Sequence, residues 1–204
     1  SAYVARESPA TDLMVNVVAP VRLLQHVVDR GAHPYVVMAG AATQRDDSLG
    51  TDAAITFYET GKSTLELYLA QFMREGSIDF TSLRLSNVYG PSPAPNVDGR
   101  GFMNRAAASA LAGRGLIQFG DGACLRDFVH LHDVQAAFAA ALSAQHRGCA
   151  CYNVGSGRGT TIGDALVAVA SAAARITGRR VPIEQAPWPD TADRKSTRLN
   201  SSHG

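Results

Sequence analysis

Tyr58 and Lys62 stand four positions apart in the stretch FYETGK, residues 57 to 62. A free tyrosine titrates near pH 10 and is a poor acid or base at neutrality. An ammonium held within about 4–6 Å favours the phenolate and draws that pKa toward the working range. On a helix, residues i and i+4 share one face, so the spacing suits proton transfer to or from a hydroxyl. Composition sharpens the reading: the chain has 19 basic residues, of which only Lys62 and Lys195 are lysine. Where arginine supplies nearly all the positive charge, a lysine at this spacing suits a task that needs a compact ammonium. The plain alternative is two residues that fall one helical turn apart by coincidence.

The elements that would position the pair follow from periodicity. Leu13 to Asp29 carries apolar residues at Leu13, Val17, Val21, Leu24 and Val28, a helical period. Asp12 reads as its N-cap, Gly31 as its stop, and Pro20 as a bend within it. YVVMAG (35–40) reads as a buried strand, the stretch from about Tyr58 as a second long helix, and Phe80 to Leu85 as another strand, leading to a turn at Gly90 and Pro91. Helix and strand in alternation predict a parallel α/β sheet with right-handed crossovers. Beyond a Pro/Gly-rich loop the pattern gives a helix in FMNRAAASALAG, a strand at LIQF, and a strand in RDFVHLHD that runs into Asp133 as N-cap. A helix in VQAAFAAALSA, the strand CYNV, a helix capped by Thr160 or Thr161, and a last strand in RRVPIEQ follow.

Bulk properties exclude several classes. The 204 residues are 46% hydrophobic and 18% charged with net charge +1, as in an ordinary soluble protein. A charge so near zero gives no reason to expect a nucleic-acid or membrane-surface partner. No apolar run reaches the roughly 20 residues of a membrane span. Three cysteines, Cys124, Cys149 and Cys151, are too few for a disulfide framework, which points to a reduced, cytoplasmic setting; Cys149 and Cys151 are expected to pack in the core. His130 and His132, in HLHD, share a strand face, but no further ligand cluster accompanies them and no metal is expected.

The two ends read differently from the middle. DRKSTRLNSSH (193–203) drops the apolar patterning and looks like the in-frame translation of a common sequencing-library adapter, so residues 193–204 are set apart as a non-native tail. The first residues lack an initiator methionine and enter a helix almost at once, as in a piece of a longer protein.

Several ordered blocks, NVVAPVRLLQ, YVVMAGAATQ, FYETGKSTLE, LRLSNVYGP, GDGACLRDFVHLHDV and YNVGSG, resemble the extended short-chain dehydrogenase/reductase family in its nucleotide-sugar epimerase/dehydratase branch. The resemblance runs from about Ser1 to Trp188. It implies a Rossmann-like sheet that binds NAD, or NADP, and a small C-terminal lobe that grips a nucleotide-diphosphate sugar. Residues 1–90 would be the second half of the dinucleotide-binding domain, and 91–192 mostly the substrate-binding lobe with returning Rossmann elements. By resemblance Tyr58 is the acid/base for the sugar hydroxyl, and Lys62 lowers its pKa and holds the nicotinamide ribose. Asn16 supports the active-site geometry, Asn87 lies near the substrate's phosphates, and Arg126 contacts the diphosphate, a task suited to a guanidinium fork. Each has a plainer alternative: Asn87 shaping the turn before Gly90, Arg126 pairing with Asp121 or Asp127, Asn16 a polar spot on an amphipathic helix. A homodimer built through the helices around Tyr58 is also implied.

Two departures stand out. The family places Ser or Thr after the strand, where this chain has Gly40; Thr43, three residues on, is the candidate to replace that hydroxyl. An acidic pair typical of dehydratases is missing until Asp46, which favours an epimerase over a dehydratase; a reductase of the same family stays an alternative. The Gly-rich fingerprint for the pyrophosphate, GxxGxxG, is absent. About 60–80 residues of first strands would be missing at ~30 residues per βαβ unit, leaving the sheet incomplete and the chain as it stands inactive and poorly stable. A noncatalytic relative that binds a nucleotide or partner protein is the remaining alternative, and Gly40 favours it.

Overall fold

The computed structural model describes residues 2–44, 56–91 and 101–188. In chain order the helices are α1 (Ala2–Glu7), α2 (Pro9–Leu13), a π-helical turn (Met14–Val18), α3 (Ala19–Val28), α4 (Phe57–Arg74), α5 (Phe102–Leu111), α6 (Leu131–Ala144) and α7 (Ile162–Thr177). The strands are β1 (Tyr35–Ala41), β2 (Asp79–Leu85), β3 (Asn87–Tyr89), β4 (Leu116–Phe119), β5 (Leu125–His130), β6 (Cys149–Val154), β7 (Gly159–Thr161) and β8 (Ile183–Ala186). They form two compact units, residues 1–86 with 133–154, and residues 87–132 with those from 155 on.

The first unit is built on a parallel sheet of order β1-β2-β6, with Met38 opposite Ser82, Gly40 opposite Arg84, and Ser82 opposite Cys151. Parallel neighbours need a crossover, and α4 supplies it between β1 and β2. A reciprocal cap fixes where α4 begins: the Thr56 hydroxyl accepts from the Glu59 amide at 3.3 Å, and the Glu59 carboxylate accepts from the Thr56 amide at 2.8 Å. Its Leu65 and Leu69 pack on Met38, Ile78 and Phe80, with Val21, Leu24 and Val28 of α3 completing the cluster. Alternation along β1 therefore turns Met38, and with it Gly40, toward α4.

The segment before β1 departs from a single capped helix. Asp12 is not a cap: it lies within α2, which follows Ser8, and is buried. Pro20 stands at the start of α3, not inside one regular α-helix. The Ala19 amide reaches back five residues to the Met14 carbonyl, and Pro20, which has no N–H, follows that widened turn directly. The extra residue in the turn shifts the phase, so Val17 stays buried while Leu13, counted to the same face, is 49% exposed. Cys149 and Cys151 are exposed rather than core residues, since β6 forms the end of this sheet and the apolar cluster lies over β1 and β2.

The second unit pairs β3 with β5 in parallel and β5 with β7 antiparallel, beside a parallel β4–β8 pair. Its core is a close approach of small side chains, Ala106 and Ala110 of α5 with Ala170 and Ala173 of α7, closed by Leu116, Leu166 and Val181. Thr161 caps α7, accepting from the Asp164 amide at 3.0 Å, and Gly178 ends it in the left-handed region at φ +68°. Asp133 is not the cap of α6. That helix starts at Leu131, and the His130 ring nitrogen Nδ1 accepts from the His132 amide at 3.3 Å, taking the cap's place. His132 is thus in the helix and not on a strand face with His130.

Candidate active site

The first two turns of α4 bring Tyr58 and Lys62 together as their spacing predicts: Lys62 Nζ lies 5.8 Å from the centre of the Tyr58 ring. The ammonium donates to the Ala39 carbonyl at the end of β1, at 3.0 Å. Its other two N–H donors are the site's spare bonding capacity. The electrostatics differ from expectation. Burial raises the Tyr58 pKa above its ordinary 10.0, and the carboxylates of Asp12 and then Glu59 push the same way. Burial lowers Lys62, and the Asp12 charge opposes that fall. The ammonium is directed at a backbone carbonyl, so the drop in Tyr58 pKa anticipated from the spacing does not occur in this arrangement.

Asn16 sits on the π turn, half-buried, and its Nδ2 donates to Asp12 Oδ1 at 2.8 Å. Both face α4 at Gly61, between Tyr58 and Lys62: a Cβ there would stand 3.1 Å from Asp12 Oδ2 and 3.9 Å from Asn16 Cβ. Asn16 is therefore beside the pair. Asp12, whose sequence position suggested only a cap, belongs to the same group.

Gly40 has no room for a hydroxyl-bearing side chain. A Cβ would lie 2.5 Å from Gln44 Oε1, 3.1 Å from Arg84 Cγ and 3.2 Å from Ser82 Oγ. Gln44 folds back so that its Oε1 accepts from the Ala41 amide at 2.6 Å, and its Nε2 donates to Glu66 at 3.2 Å. Glu66, one turn beyond Lys62, also accepts from Ser82 Oγ at 2.7 Å and from the Arg84 guanidinium at 2.5 and 3.3 Å. The turn after β1 is thus tied to α4 on both sides of Gly40, through Lys62 to Ala39 and through Gln44 to Ala41. Thr43 is exposed on that turn. Asp46 lies outside the described residues, as do most of the Pro/Gly-rich loop and residues 193–204.

Asn87 and Arg126 belong to the second unit. Asn87 Nδ2 donates to the Asp127 carbonyl at 3.1 Å, tying β3 to β5. Arg126 donates to Cys124 Sγ at 2.7 Å and to the Leu125 carbonyl at 2.8 Å. Asp127 and Asp121, the acids weighed as its partners, are engaged locally. Asp127 accepts from the amides of Ser156 and Gly157 and from the Ser156 hydroxyl, and Asp121 accepts from the Ala123 amide at 3.0 Å. Among the described residues no group of three or more His, Cys, Asp or Glu is gathered as a metal site.

Sequence reasoning missed Asp12, Gln44, Glu66 and Arg84. One signal was present: Glu66 continues the Tyr58–Lys62 stripe at i+4 and meets an arginine on the strand that α4 leads into.

A UDP-glucose 4-epimerase from Mycolicibacterium smegmatis is 30% identical over 174 residues, which are 81% of this chain and 55% of that protein. Among solved structures, UDP-glucose 4-epimerase from Thermotoga maritima with UDP-glucose has a TM-score of 0.76 at 25% identity, covering 94% of this chain and 62% of that one. The Thermus thermophilus UDP-glucose 4-epimerase complex with NAD has a TM-score of 0.73 at 30% identity, covering 92% and 62%. The chain thus spans somewhat more than half the length of the proteins it matches. The model of the NAD dependent epimerase/dehydratase family matches residues 3–155, three quarters of the sequence, and the chain belongs to that family.

Proposed function

We propose that the chain carries the catalytic and sugar-binding portion of an NAD-dependent nucleotide-sugar epimerase. The observation that carries the reading is the half-buried Tyr58–Lys62 pair, with Lys62 anchored at the end of a parallel strand by one donor and holding two in reserve. That donor set fits the ribose end of a nicotinamide dinucleotide, whose diol a bare ammonium can bridge. NADP is the variant choice. NAD, when bound, supplies reversible hydride acceptance from a sugar carbon. Tyr58 holds the hydroxyl proton while the carbon is oxidised and gives it back on reduction; Lys62 holds the ribose. Asn16 orients the group, and Thr43 supplies the hydroxyl that Gly40 cannot. In the second unit Asn87 and Arg126 are assigned to the sugar nucleotide's phosphates, with residues 193–204 outside the functional protein.

The names of the relatives support UDP-hexose as substrate. The Cys149 and Cys151 thiols, not joined in a disulfide, suit a cytoplasmic location. No helix among the described residues is long and apolar enough to cross a membrane. Exposed Leu67 and Tyr68 on α4, with Leu13 and Met14 before α3, support a homodimer formed through these helices.

The test supplies UDP-glucose and NAD to the protein at the full length its relatives have. An epimer formed without net NADH change supports the proposal, whereas net NADH turnover means a reductase and a 4-keto-6-deoxy product a dehydratase. Tyr58→Phe is expected to lower turnover by roughly 10²–10⁴-fold. The crowding at Gly40 favours a second reading, a noncatalytic member that binds nucleotide or a partner. Biological activity unaffected by Tyr58→Phe would select it.

A further inference from the structure

We propose that Asp12 is a further positioning residue of this site: a buried carboxylate that fixes the Asn16 amide and faces the Tyr58–Lys62 turn of α4 across Gly61. Its purpose rests on the reading of Tyr58 and Lys62 as the acid–base pair, but its measurement does not. Three observations carry it. Asp12 is 5% exposed, and a carboxylate is seldom buried without a task for its charge. Oδ1 accepts from the Asn16 NH₂ at 2.8 Å, and since a carboxylate can only accept, this bond fixes which end of the Asn16 amide faces Asp12. Oδ2 lies where a Cβ on residue 61 would come within 3.1 Å, so glycine inside α4, otherwise unfavourable in a helix, admits the carboxylate close to the helix backbone.

The consequence is a fixed negative charge behind the pair. Burial drives Lys62 toward the neutral amine, which would bind neither a phenolate nor a diol by charge; Asp12 opposes that loss. The same charge opposes early ionisation of Tyr58. Among the described residues, the other titratable or charged groups around Lys62 are Tyr58, Glu59 and Glu66 on its own helix and Arg84 on β2, the last two paired at 2.5 Å. Asn16 and the Ala39 carbonyl are neutral. Among the described residues, Asp12 is thus the carboxylate brought to Lys62 from outside its own helix.

The two lysines of the sequence make the test direct. Lys62 in the full chain is titrated by competitive acetylation across pH 7–11, read peptide by peptide by mass spectrometry, with Lys195 as internal reference. Asp12→Asn keeps the shape and the Asn16 bond and removes the charge. The Lys62 midpoint should fall, and at a fixed pH below it Lys62 should acetylate at least about twofold faster, with Lys195 unchanged. Gly61→Ala, which favours helix, displaces Asp12 and should move Lys62 in the same direction, so it carries the test if Asp12→Asn does not fold. An unmoved Lys62 midpoint in a variant whose circular dichroism is intact overturns the proposal. Neither substrate nor cofactor is present, so failure of the epimerase reading cannot produce that result.

Discussion

Lys62 and Glu66 leave the same face of α4 one turn apart, and they are held in opposite ways. Glu66 accepts four hydrogen bonds, three at Oε2 from Gln44, Ser82 and Arg84 and one at Oε1 from Arg84. Lys62 makes one bond, to a backbone carbonyl. At Glu66 burial alone would raise the pKa, but the hydrogen bonds from Arg84 and Ser82, the Arg84 charge and Gln44 outweigh it and the net direction is down. At Lys62 burial wins. A side chain gripped by three neighbours holds the fold in place; one with two donors left beside a half-buried phenol is where a ligand is met.

Replacing each residue should pull these two roles apart. Glu66→Ala removes the carboxylate that pairs with the Arg84 guanidinium, whose side chain is only 20% exposed, and takes away the acceptor that Ser82 and Gln44 share. A loss of about 2–4 kcal/mol is expected, in the range for breaking a substantially buried pair from one side. Lys62→Met removes a charge that burial already disfavours, and stability should stay within about 1 kcal/mol of the unaltered chain or rise. Urea titrations of the two variants decide the matter, and equal losses would erase the distinction.

Gly40 lies between the two anchors and tests how tightly the turn is packed. Gly40→Ser places an atom against the Gln44 carbonyl oxygen and should cost about 1–3 kcal/mol. Gln44→Ala opens that space, at the expense of the Ala41 amide bond. The double variant should therefore be more stable than the sum of the single losses, by about 0.5 kcal/mol or more. Strict additivity would mean that Gln44 does not fill the place of a side chain at position 40.

What the sequence disclosed follows the reach of each interaction. The strands β1 and β2 and the helices α4 and α7 were readable because apolar period, strand length and caps are local. Tyr58 and Lys62 were readable for the same reason, being joined by one helical turn. The three-residue strands β3 and β7 are too short to show a period, and the π turn depends on how Pro20 is accommodated. Asp12 and Gln44 could not be read, because each matters through what approaches a glycine from elsewhere in the fold: Asp12 against Gly61, and Gln44 into the place that a side chain at Gly40 would take. The sequence shows that a glycine is present, but only packing shows what occupies its missing side chain's place.

The smallest effects are in the pH dependence of stability, where the two residues separate at opposite ends of the scale. The folded pKa of Glu66 lies below its ordinary 4.5, so between the two values the unfolded chain binds more protons. Its contribution is fully present above that ordinary value and is lost as pH falls through the folded one. Lys62 also has a folded pKa below its ordinary 10.5, so stability again rises with pH, now on the alkaline side. Tyr58, raised above 10.0, acts against that rise, because there the folded state keeps the proton longer. Unfolding free energies measured from pH 3 to 11 should show Glu66→Gln flattening the acid limb and leaving the alkaline limb in place. Lys62→Met should do the reverse, steepening the alkaline decline that Tyr58 and the Cys151 thiol, also raised by burial, then set. An acid limb that persists in Glu66→Gln would assign it to other carboxylates and remove Glu66 as the turn's electrostatic anchor.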